Sequence, residues 1–308
     1  MLSTHYLDFN AIDAAQHIDA LYKRPAWRRR QLLAGNDCAR LLYKYFSFSA
    51  DSATHRRNIH SVLVNSCLWF SKPSSFNDPF DFRCDARFPD DPSKVRKYLL
   101  SSARREANRV AANKAEARKE ADRLFRIAFN RHLREPDSAN TSFKGIRDRY
   151  GVCCFTTQPK SILMWAHYAE SHTGLCFQFD SAAHFELLAL ARPIKYAPEF
   201  PRLEWPTDKG RVVEDVIFRK YEIWSYEDER RIVDRDCIDG PKAFSPGALK
   251  GIICGYRMSA KSRSELQDLL EERSRRGLPG VKLYQCVPEE RSYKMKIVSL
   301  DFKELMAV

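Results

Sequence analysis

The chain has 308 residues, of which 44% are hydrophobic and 12% aromatic, so it can bury the core of one large domain or two ordinary ones. No apolar run approaches the ~18 residues of a transmembrane helix, and the first residues lack the layout of a secretory signal. The sequence therefore argues against a membrane-spanning helix and against wholesale disorder, and it predicts a cytoplasmic protein.

The nine cysteines predict reduced thiols rather than a disulfide framework or a zinc site. Their number is odd, and no two of them form a Cys-x-x-Cys pair. His167 and His172 also lack the i, i+4 spacing and the carboxylate partner of a zinc-binding helix. We therefore predict that the protein has no metal site.

The formal net charge of +12 is concentrated in one segment of the chain. Between Lys94 and Glu135 there are thirteen Lys or Arg residues and five Asp or Glu residues, a net charge of +8. A second basic group, Arg28 to Arg30, lies nearer the N-terminus. Concentrated positive charge attracts polyanions through counterion release, but it also keeps a helix in solution, so both interpretations stay open.

The first part of the chain predicts helices and strands that alternate with turns. Apolar spacing predicts a helix over residues 11–36, within an N-terminal helical segment of residues 1–40. The aromatic, partly alternating run 41–48 is typical of a strand, and the short apolar run 67–70 predicts a second one. A helix with a polar cap is expected between them, over about 52–65.

The longest helical stretch begins at Pro92 and Ser93 and ends in the polar run 136–142. Its middle, Ala103 to Ala121, offers only alanines and one valine to a core, which combines strong helix propensity with little burial. A projecting helical hairpin, or a helix laid across the body, would have this pattern. We predict that residues 92–140 form a basic helical insertion.

The rest of the chain alternates short strands with helices. The predicted strands are 150–157, 175–180, 226–233, 249–254, 283–287 and 296–300, and the predicted helices are 161–169, 208–221 and 262–276. No internal repeat, Gly-x-Gly-x-x-Gly or Walker loop occurs, which disfavours a doubly wound nucleotide-binding fold. Residues 41–308 are predicted to form a single α+β domain around a mixed, mostly antiparallel, curved sheet.

A first motif is the loop Phe76-Asn77-Asp78-Pro79-Phe80-Asp81, in which polar residues lie between aromatic anchors. Asn and Asp residues before Pro commonly form side-chain-to-backbone turns. The pattern fits a rigid corner, and it also fits a loop whose amides or Asn77 side chain contact a ligand.

A second motif, Met164-Trp165-Ala166-His167-Tyr168-Ala169, lies on a predicted short helix. Residues 164, 167 and 168 share one helix face. A histidine among apolar neighbours is commonly a hydrogen-bonded core residue, but large rings beside titratable groups also indicate a ligand site. Both interpretations of His167 stay open.

A third motif, Trp224-Ser225-Tyr226-Glu227-Asp228-Glu229-Arg230, contains two glutamates that are two residues apart. On a strand this spacing puts both carboxylates, and Arg231 after them, on one face. The pattern fits a solvated strand with ion pairs, and it also fits a carboxylate aimed into a cleft. In the second case we expect Glu229 to lie near Trp165 and His167.

Five motifs in this order resemble a bacterial family called domain of unknown function 2971. They are Leu42-Tyr43-Lys44-Tyr45, Leu68-Trp69-Phe70-Ser71, the Asn77 loop, the Trp165 motif with Gly174, and the Glu227 motif. The match covers about residues 41–300. Genes that encode members of that family resemble those found in phage-defence and toxin-like gene neighbourhoods. The resemblance therefore implies a toxin or defence effector that has a neutralising partner protein.

A second resemblance is to ADP-ribosyltransferases, which break the nicotinamide–ribose bond of NAD. The shared order is a tyrosine-bearing first strand, a threonine-rich strand edge, a mid-chain His-Tyr pair and a Glu-x-Glu on a late strand. Lys44 and Phe46 occupy the region in which these enzymes carry an arginine or a histidine.

The second resemblance implies roles for individual residues. Glu229 would be the catalytic carboxylate that stabilises the cationic ribose, Glu227 would orient the acceptor, and His167 would contact the substrate. The residues implied to bind NAD are Tyr43, Tyr45, Thr156, Thr157, Trp165, Tyr168 and Asn77. Trp165 or Tyr168 would stack on the nicotinamide ring.

The leading hypothesis is therefore an ADP-ribosyltransferase-like enzyme that uses NAD as a substrate and modifies a macromolecular target. The basic insertion would recruit a nucleic acid or another acidic target. Its predicted contact residues are Arg104, Arg105, Arg109, Lys114, Arg118 and Lys119. The alternatives are a non-catalytic nucleic-acid-binding protein and a nucleic-acid hydrolase that uses His167 and the two glutamates.

Overall fold

The computed structural model describes residues 39–134, 148–204, 212–234 and 236–301. The predicted N-terminal helical segment lies outside the described residues, apart from its last two positions. The described residues divide into two compact units. The first unit contains residues up to 72, 150–195 and those from 222 onwards, and the second contains 73–149 and 196–221.

The elements are numbered in chain order within the described residues. The strands are β1 (Leu41–Phe46), β2 (Cys67–Phe70), β3 (Asp85–Arg87), β4 (Gly151–Thr156), β5 (Leu175–Asp180), β6 (Arg192–Pro193), β7 (Lys195–Ala197), β8 (Arg202–Glu204), β9 (Arg219–Tyr221), β10 (Glu229–Asp234), β11 (Gly240–Ala243), β12 (Leu249–Gly255), β13 (Lys282–Pro288) and β14 (Met295–Ser299). The α-helices are α1 (Ala53–Leu63), α2 (Pro92–Val110), α3 (Lys114–Arg134), α4 (Ile162–Tyr168), α5 (Phe185–Leu188) and α6 (Ala260–Arg275). Single 3₁₀ turns occur at Pro73–Ser75, Ser181–Ala183 and Pro246–Ala248, a longer 3₁₀ helix at Glu222–Glu227, and a π-helical turn at Val212–Ile217.

An eight-stranded open sheet forms the first unit, with the strand order β14–β13–β12–β5–β1–β4–β10–β6. Within this sheet β12 and β13 are parallel, and the other neighbouring strands are antiparallel. The predicted α+β class with a mixed, mostly antiparallel sheet is therefore confirmed. Strands β2 and β11 form a separate antiparallel pair in the same unit.

The large sheet has one face that carries an apolar core. Because successive side chains of a strand point to opposite faces, alternate residues of each strand contribute to it. The sheet residues of this core include Leu42, Cys153, Phe155, Phe177, Phe179, Ile232 and Ile252. Helices α1 and α6 cover it through Ile59, Val62 and Leu266, which are at most 2% exposed. Burying each such side chain contributes about 1.5–3 kcal/mol.

The opposite face of the sheet, which we call the aromatic face, carries a different set of side chains. Its sheet residues include Tyr43, Tyr45, Cys176, Ile253 and Cys286. Met164 and Trp165 of α4 pack against them. This seven-residue helix therefore holds the second motif against the sheet, and Tyr226 of the third motif packs against the same cluster.

Local sequence explains where α4 begins and ends. The Ser161 hydroxyl accepts the Met164 amide at 3.3 Å, as predicted for a cap. After Ala169 the chain enters three consecutive left-handed residues, from Glu170 to His172, with φ between 49° and 71°. Gly174 follows because a side chain there would collide with the backbone oxygen of Phe46.

The second unit contains a pair of helices that pack on each other, α2 and α3, joined by three residues. Their buried residues include Ala103, Ala107, Ala117 and Ala121. The alanines, which the sequence marked as offering little to a core, form a seam of small side chains between the helices. The unit also contains the parallel pair β3–β8 and the pair β7–β9, apart from Lys195, the first residue of β7. It extends beyond the predicted insertion of 92–140.

Two predicted elements differ from the structure. The predicted helix over 208–221 is represented, in its described part, by the turn Val212–Ile217 followed by β9. The predicted strand over 226–233 begins only at Glu229, because the Asp228 amide donates to the Ser225 carbonyl at 3.2 Å and closes a turn.

Among the described helices, none has the length and apolar composition needed to cross a membrane.

Candidate functional site

A row of three side chains crosses the middle of the large sheet on its aromatic face. Tyr43 of β1 lies opposite Thr156 at the end of β4, and Thr156 lies opposite Glu229 at the start of β10. Directly opposite residues of antiparallel strands point to the same face. The sheet therefore aligns Tyr43, Thr156 and Glu229, which we call the central row.

Residues at the end of β4 form hydrogen bonds with the turn that precedes Glu229. The Thr156 hydroxyl donates to the backbone carbonyl of Glu227, and the Thr157 hydroxyl donates to the Asp228 carboxylate. The Gln158 side-chain amide also reaches this carboxylate, at 3.3 Å. Asp228 has a φ of +40°, a conformation that Asp tolerates better than most residues. The two threonines thus act on the backbone geometry at the glutamates.

The second and third motifs lie side by side. The Tyr168 hydroxyl donates to Glu227 Oε1 at 2.7 Å, and His167 Nδ1 lies 3.0 Å from the Tyr226 hydroxyl. Glu227 is only 3% exposed, so its carboxylate depends on such partners for solvation. Residues about sixty positions apart in the chain thus lie in contact. These contacts involve Tyr226 and Glu227, and the expected nearness of Glu229 to Trp165 and His167 stays a prediction.

Glu229 forms a buried ion pair with Arg231, two residues further along β10. Arg231 Nε donates to Oε1 at 2.7 Å and Nη2 donates to Oε2 at 3.1 Å. Arg231 is fully buried and Glu229 is 5% exposed. Their charges contribute to the environment of Cys154, whose thiol pKa is raised well above its usual value, chiefly by burial and then by the Glu229 charge. The two carboxylates of the motif are therefore held differently, because Glu227 lies on the 3₁₀ helix and not on the strand.

Tyr43 and Tyr45 provide neutral, anchored rings beneath α4. The Tyr43 hydroxyl accepts the Gln178 amide at 2.9 Å, and the Tyr45 hydroxyl donates to the Gln158 carbonyl at 2.7 Å. Burial raises the pKa of both tyrosines, so both hydroxyls stay protonated at neutral pH. Their positions on the sheet are thus set by hydrogen bonds as well as by packing.

The aromatic residues of α4 differ in accessibility. Trp165 is fully buried: its indole N–H donates to the Pro159 carbonyl at 2.9 Å, and the edge of its ring system contacts Tyr45. Tyr168 is half-buried and His167 is exposed. In this conformation His167 and Tyr168 are accessible to a ligand, whereas the Trp165 ring is part of the core.

His172 is a further histidine at this site, placed by the left-handed turn after α4. It stacks on Trp165 with a centroid distance of 6.4 Å and contacts the edge of Tyr256. It is 9% exposed, and within the described part of the chain its Nδ1 has no hydrogen-bond partner. Burial, and then the nearby Arg257 charge, lower its pKa, so His172 is neutral at pH 7.

A groove of about 300 Å³ adjoins the first turn of α4. Lys160 and Lys294 supply two positive charges and Glu289 one negative charge, and the exposed apolar surface comes from Ile162, Leu163 and Tyr293. His167 and Tyr168 lie at the other end of the helix, about 10 Å away by the rise of a seven-residue helix. The groove is therefore within reach of an extended ligand that also contacts the end of α4.

The remaining predicted site residues belong to the second unit. Asn77 lies in a hydrogen-bonded corner in which Asp78 accepts the Phe80 amide at 2.8 Å, as the turn pattern predicted. The basic residues Arg104, Arg105, Lys114, Arg118 and Lys119 are exposed on α2 and α3. The side chain of Arg109 lies outside the described residues.

The structure adds contact residues that were not among the predicted site residues. Gln158, Gln178, Tyr226 and Asp228 each bond to a predicted site residue or to its turn. Arg231 had a sequence signal, since its spacing from Glu229 placed it on the same face. The two glutamine contacts depend on strand pairing between distant segments and had no local signal.

Among the described residues, no group of three or more His, Cys, Asp or Glu side chains is arranged to hold a metal ion. No family model, curated protein or solved structure matches the chain. The geometry of the site is therefore the basis for assigning its chemistry.

Proposed function

We propose that the protein is an ADP-ribosyltransferase-like enzyme that cleaves the nicotinamide–ribose bond of NAD and modifies a macromolecule. The observation that carries this proposal is the central row of Tyr43, Thr156 and Glu229 on three adjacent strands. The resemblance noted in the sequence implies a first-strand tyrosine, a threonine at a strand edge and a late-strand glutamate. Strand pairing brings these three side chains onto one face of the sheet.

In this proposal Glu229 stabilises positive charge on the ribose. As the bond from C1′ to the nicotinamide nitrogen breaks, its electron pair leaves with nicotinamide and the ribose becomes cationic. Arg231 fixes the direction of the Glu229 carboxylate, since it donates two hydrogen bonds to it. In this proposal a hydroxyl of the nicotinamide ribose donates a hydrogen bond to the Glu229 carboxylate, which has about four acceptor positions.

The neighbouring side chains have proposed roles that follow from their positions around α4. Glu227, held by Tyr168, orients the acceptor group that attacks C1′. Tyr168 and His167 at the end of α4 contact the nicotinamide side of the substrate, because both are accessible. Lys160 and Lys294 in the groove by α4 attract the diphosphate.

We further propose that this chemistry takes place in the cytoplasm and that a nucleic acid is the acidic target. The eight cysteines among the described residues are free thiols, which supports a reducing compartment. The exposed cations of α2 and α3 support an acidic target. The motif order supports kinship with the family called domain of unknown function 2971.

Release of labelled nicotinamide from NAD, measured with and without a DNA duplex, tests the proposed activity. Glu229→Gln is nearly isosteric and is expected to slow release at least about 100-fold, because it removes the charge that stabilises the transition state. Glu290→Gln, an exposed glutamate in the turn after β13, is the matched control and should retain the wild-type rate. Thermal melting of both variants verifies folding, and equal release by wild type and Glu229→Gln would refute the proposal.

A further inference from the structure

The pair α2–α3 carries a concentration of positive charge that NAD cleavage does not use. Between Pro92 and Arg134 there are thirteen Lys or Arg residues and four Asp or Glu residues, a net charge of +9. Among these acids, Glu120 bonds to Arg123 at 2.6 Å, and Glu116 accepts the Ala112 amide at 3.0 Å. Most of the positive charge is therefore not compensated locally.

The uncompensated cations are exposed. Within the described part of the pair, seven exposed cations make no hydrogen bond or ion pair with other described residues, and they are Lys97, Arg104, Arg105, Lys114, Arg118, Lys119 and Arg126. Long cationic side chains that are held on stable helices but have no acidic partner are available to an external anion. Both helices contribute to this set.

The pair also has the dimensions of a rigid support. Helices of 19 and 21 residues are about 28 and 31 Å long. Their seam of small side chains, such as Ala107 and Ala121, lets the two backbones approach closely. Along α3, Lys119, Arg123 and Arg126 recur at spacings of four and three residues and share one face. A duplex presents on the order of one phosphate charge per 1.7 Å of its axis, so a support of this length faces many phosphates.

The exposed residues of α2 and α3 indicate which kind of polyanion this surface binds. Ile127 is the one large hydrophobic residue exposed on the described part of the pair, so there is no apolar face for insertion into a membrane. Tyr98, Phe125 and Phe129 are only half-exposed, and the last two stack on each other at 5.6 Å. A platform for stacking single-stranded bases needs freely exposed rings, which this part of the molecule does not present.

We propose that the exposed cations of α2 and α3 bind the phosphate backbone of a double-stranded nucleic acid, without reading its sequence. The contacts come from point charges and guanidinium groups, which hold phosphates but do not distinguish bases. This inference identifies the form of the acidic target in the proposed function, but it does not need NAD cleavage. Binding and cleavage are therefore tested by separate measurements.

Fluorescence anisotropy of the full chain with a labelled DNA duplex of about thirty base pairs tests the proposal. Six phosphate contacts predict that log Kobs falls with log salt with a slope of about −5, so affinity drops on the order of 1,000-fold between 50 and 200 mM salt. The test variant changes six exposed cations to Gln, at Arg104, Arg105, Lys114, Arg118, Lys119 and Arg126. It should bind at least 100-fold more weakly than wild type at 50 mM salt, with a slope near zero.

A control variant with the same net charge as the test variant shows whether binding depends on the α2–α3 surface or only on the total charge of the protein. It changes six exposed cations of the first unit to Gln, at Lys195, Lys250, Arg275, Lys282, Arg291 and Lys296. The control should bind the duplex within a few-fold of wild type. Equal losses in the two variants, equal affinity for a single strand of the same length, or binding to anionic phospholipid vesicles but not to the duplex would each overturn the proposal. Nicotinamide release from NAD alone reports on the other activity and should be unchanged in the test variant.

Discussion

At the scale of single residues, the ion pair between Glu229 and Arg231 combines burial, charge and the proposed chemistry. A buried ion pair contributes little net stability relative to an apolar pair of the same size, since desolvation opposes the attraction. Its two hydrogen bonds nevertheless fix the direction of the carboxylate. In an enzyme that stabilises developing charge, a preoriented and ionised carboxylate is what such a pair supplies.

Removing Arg231 alone should therefore be costly. Arg231→Met leaves Glu229 buried without its cation, and we expect a loss of about 3–5 kcal/mol in the free energy of unfolding. The double variant Glu229→Leu/Arg231→Met should recover most of that loss, because neither charge then remains. Urea unfolding of Arg231→Met, Glu229→Leu, the double variant and wild type measures the coupling between the two residues. A fully stable Arg231→Met would show that this pair is not buried in solution.

The hydrogen bond from Tyr168 to Glu227 makes a second residue-scale prediction. Tyr168→Phe removes a donor from a carboxylate that is 3% exposed, and we expect a loss of about 1–3 kcal/mol in unfolding free energy. Tyr293→Phe is the control, because Tyr293 is fully exposed and its hydroxyl should be dispensable. Chemical denaturation of both variants compares them directly. Equal stability of the two variants would contradict the contact.

His172 predicts a dependence of stability on pH. Its pKa is lowered in the folded protein, so the unfolded chain binds its proton more readily. The stability it contributes is complete above about pH 6.5, the ordinary histidine pKa, and is lost as the pH falls towards the lowered value. Melting temperatures should fall less steeply below pH 6.5 in His172→Phe, which keeps the stacking on Trp165. His184, whose pKa is also lowered by burial, accounts for part of the remaining slope.

Wild type and His172→Phe should also be compared at pH 8, where His172 and His184 are neutral in the folded and unfolded states. The difference in melting temperature at pH 8 reports the change in packing alone. Parallel curves for wild type and His172→Phe across pH 5–8 would show that His172 does not titrate in this way.

At the scale of elements, the junction from α4 into β5 determines how the site is assembled. The helix ends at Tyr168, three left-handed residues reverse the chain, and Gly174 leads into the strand beside β1. Backbone strain of this kind persists only where surrounding contacts impose it. Two backbone hydrogen bonds provide such contacts at His172. The His172 amide donates to the Trp165 carbonyl at 3.1 Å, and the His172 carbonyl accepts the Arg257 amide at 3.1 Å.

Gly174 provides a test of this junction. A methyl group at that position would collide with the backbone oxygen of Phe46, which cannot move without disturbing β1. Gly174→Ala should therefore lower the free energy of unfolding by about 1–3 kcal/mol, as overpacking does elsewhere. Gly247→Ala is the matched control, because outside Gly247 and its two chain neighbours no atom lies within 4 Å of the added carbon. Equilibrium denaturation should separate the two variants, and a neutral Gly174→Ala would contradict the described junction.

The elements also show which signals the sequence contains. Alternation and capping predicted the main strands, the start of α4 and the alanine-rich helices, because these depend on residues close together in the chain. The start of β10 was wrong by three residues, since Glu227 was placed on the strand and lies on a 3₁₀ helix. That turn is held by Thr156 and Thr157, which belong to another segment and leave no local pattern.

At the scale of the whole molecule, the α+β class followed from the sequence, but the strand order did not. The middle of the sheet interleaves β12, β5, β1, β4 and β10, which are widely separated along the chain. Such pairing depends on tertiary packing, which periodicity cannot report. The motifs of the site could be named in advance because they combine unusual residue types. Their convergence, and the burial of Trp165 and Glu229, required the assembled sheet.

The two proposed activities, NAD cleavage and nucleic-acid binding, involve residues of different units. The first unit contains the central row and the groove by α4, whereas the second contains the exposed cations of α2 and α3. Substrate chemistry and target binding are therefore proposed for different parts of the chain. Variants in one unit should leave the measured property of the other unchanged.

A crystal structure of Glu229→Gln with NAD, which the variant should bind without cleaving, tests the central claim most directly. We predict that a hydroxyl of the nicotinamide ribose lies within about 3.2 Å of the side chain at position 229, and that this ribose also contacts Tyr43 or Thr156. A ribose bound elsewhere, in contact with no member of the central row, would contradict the proposed function.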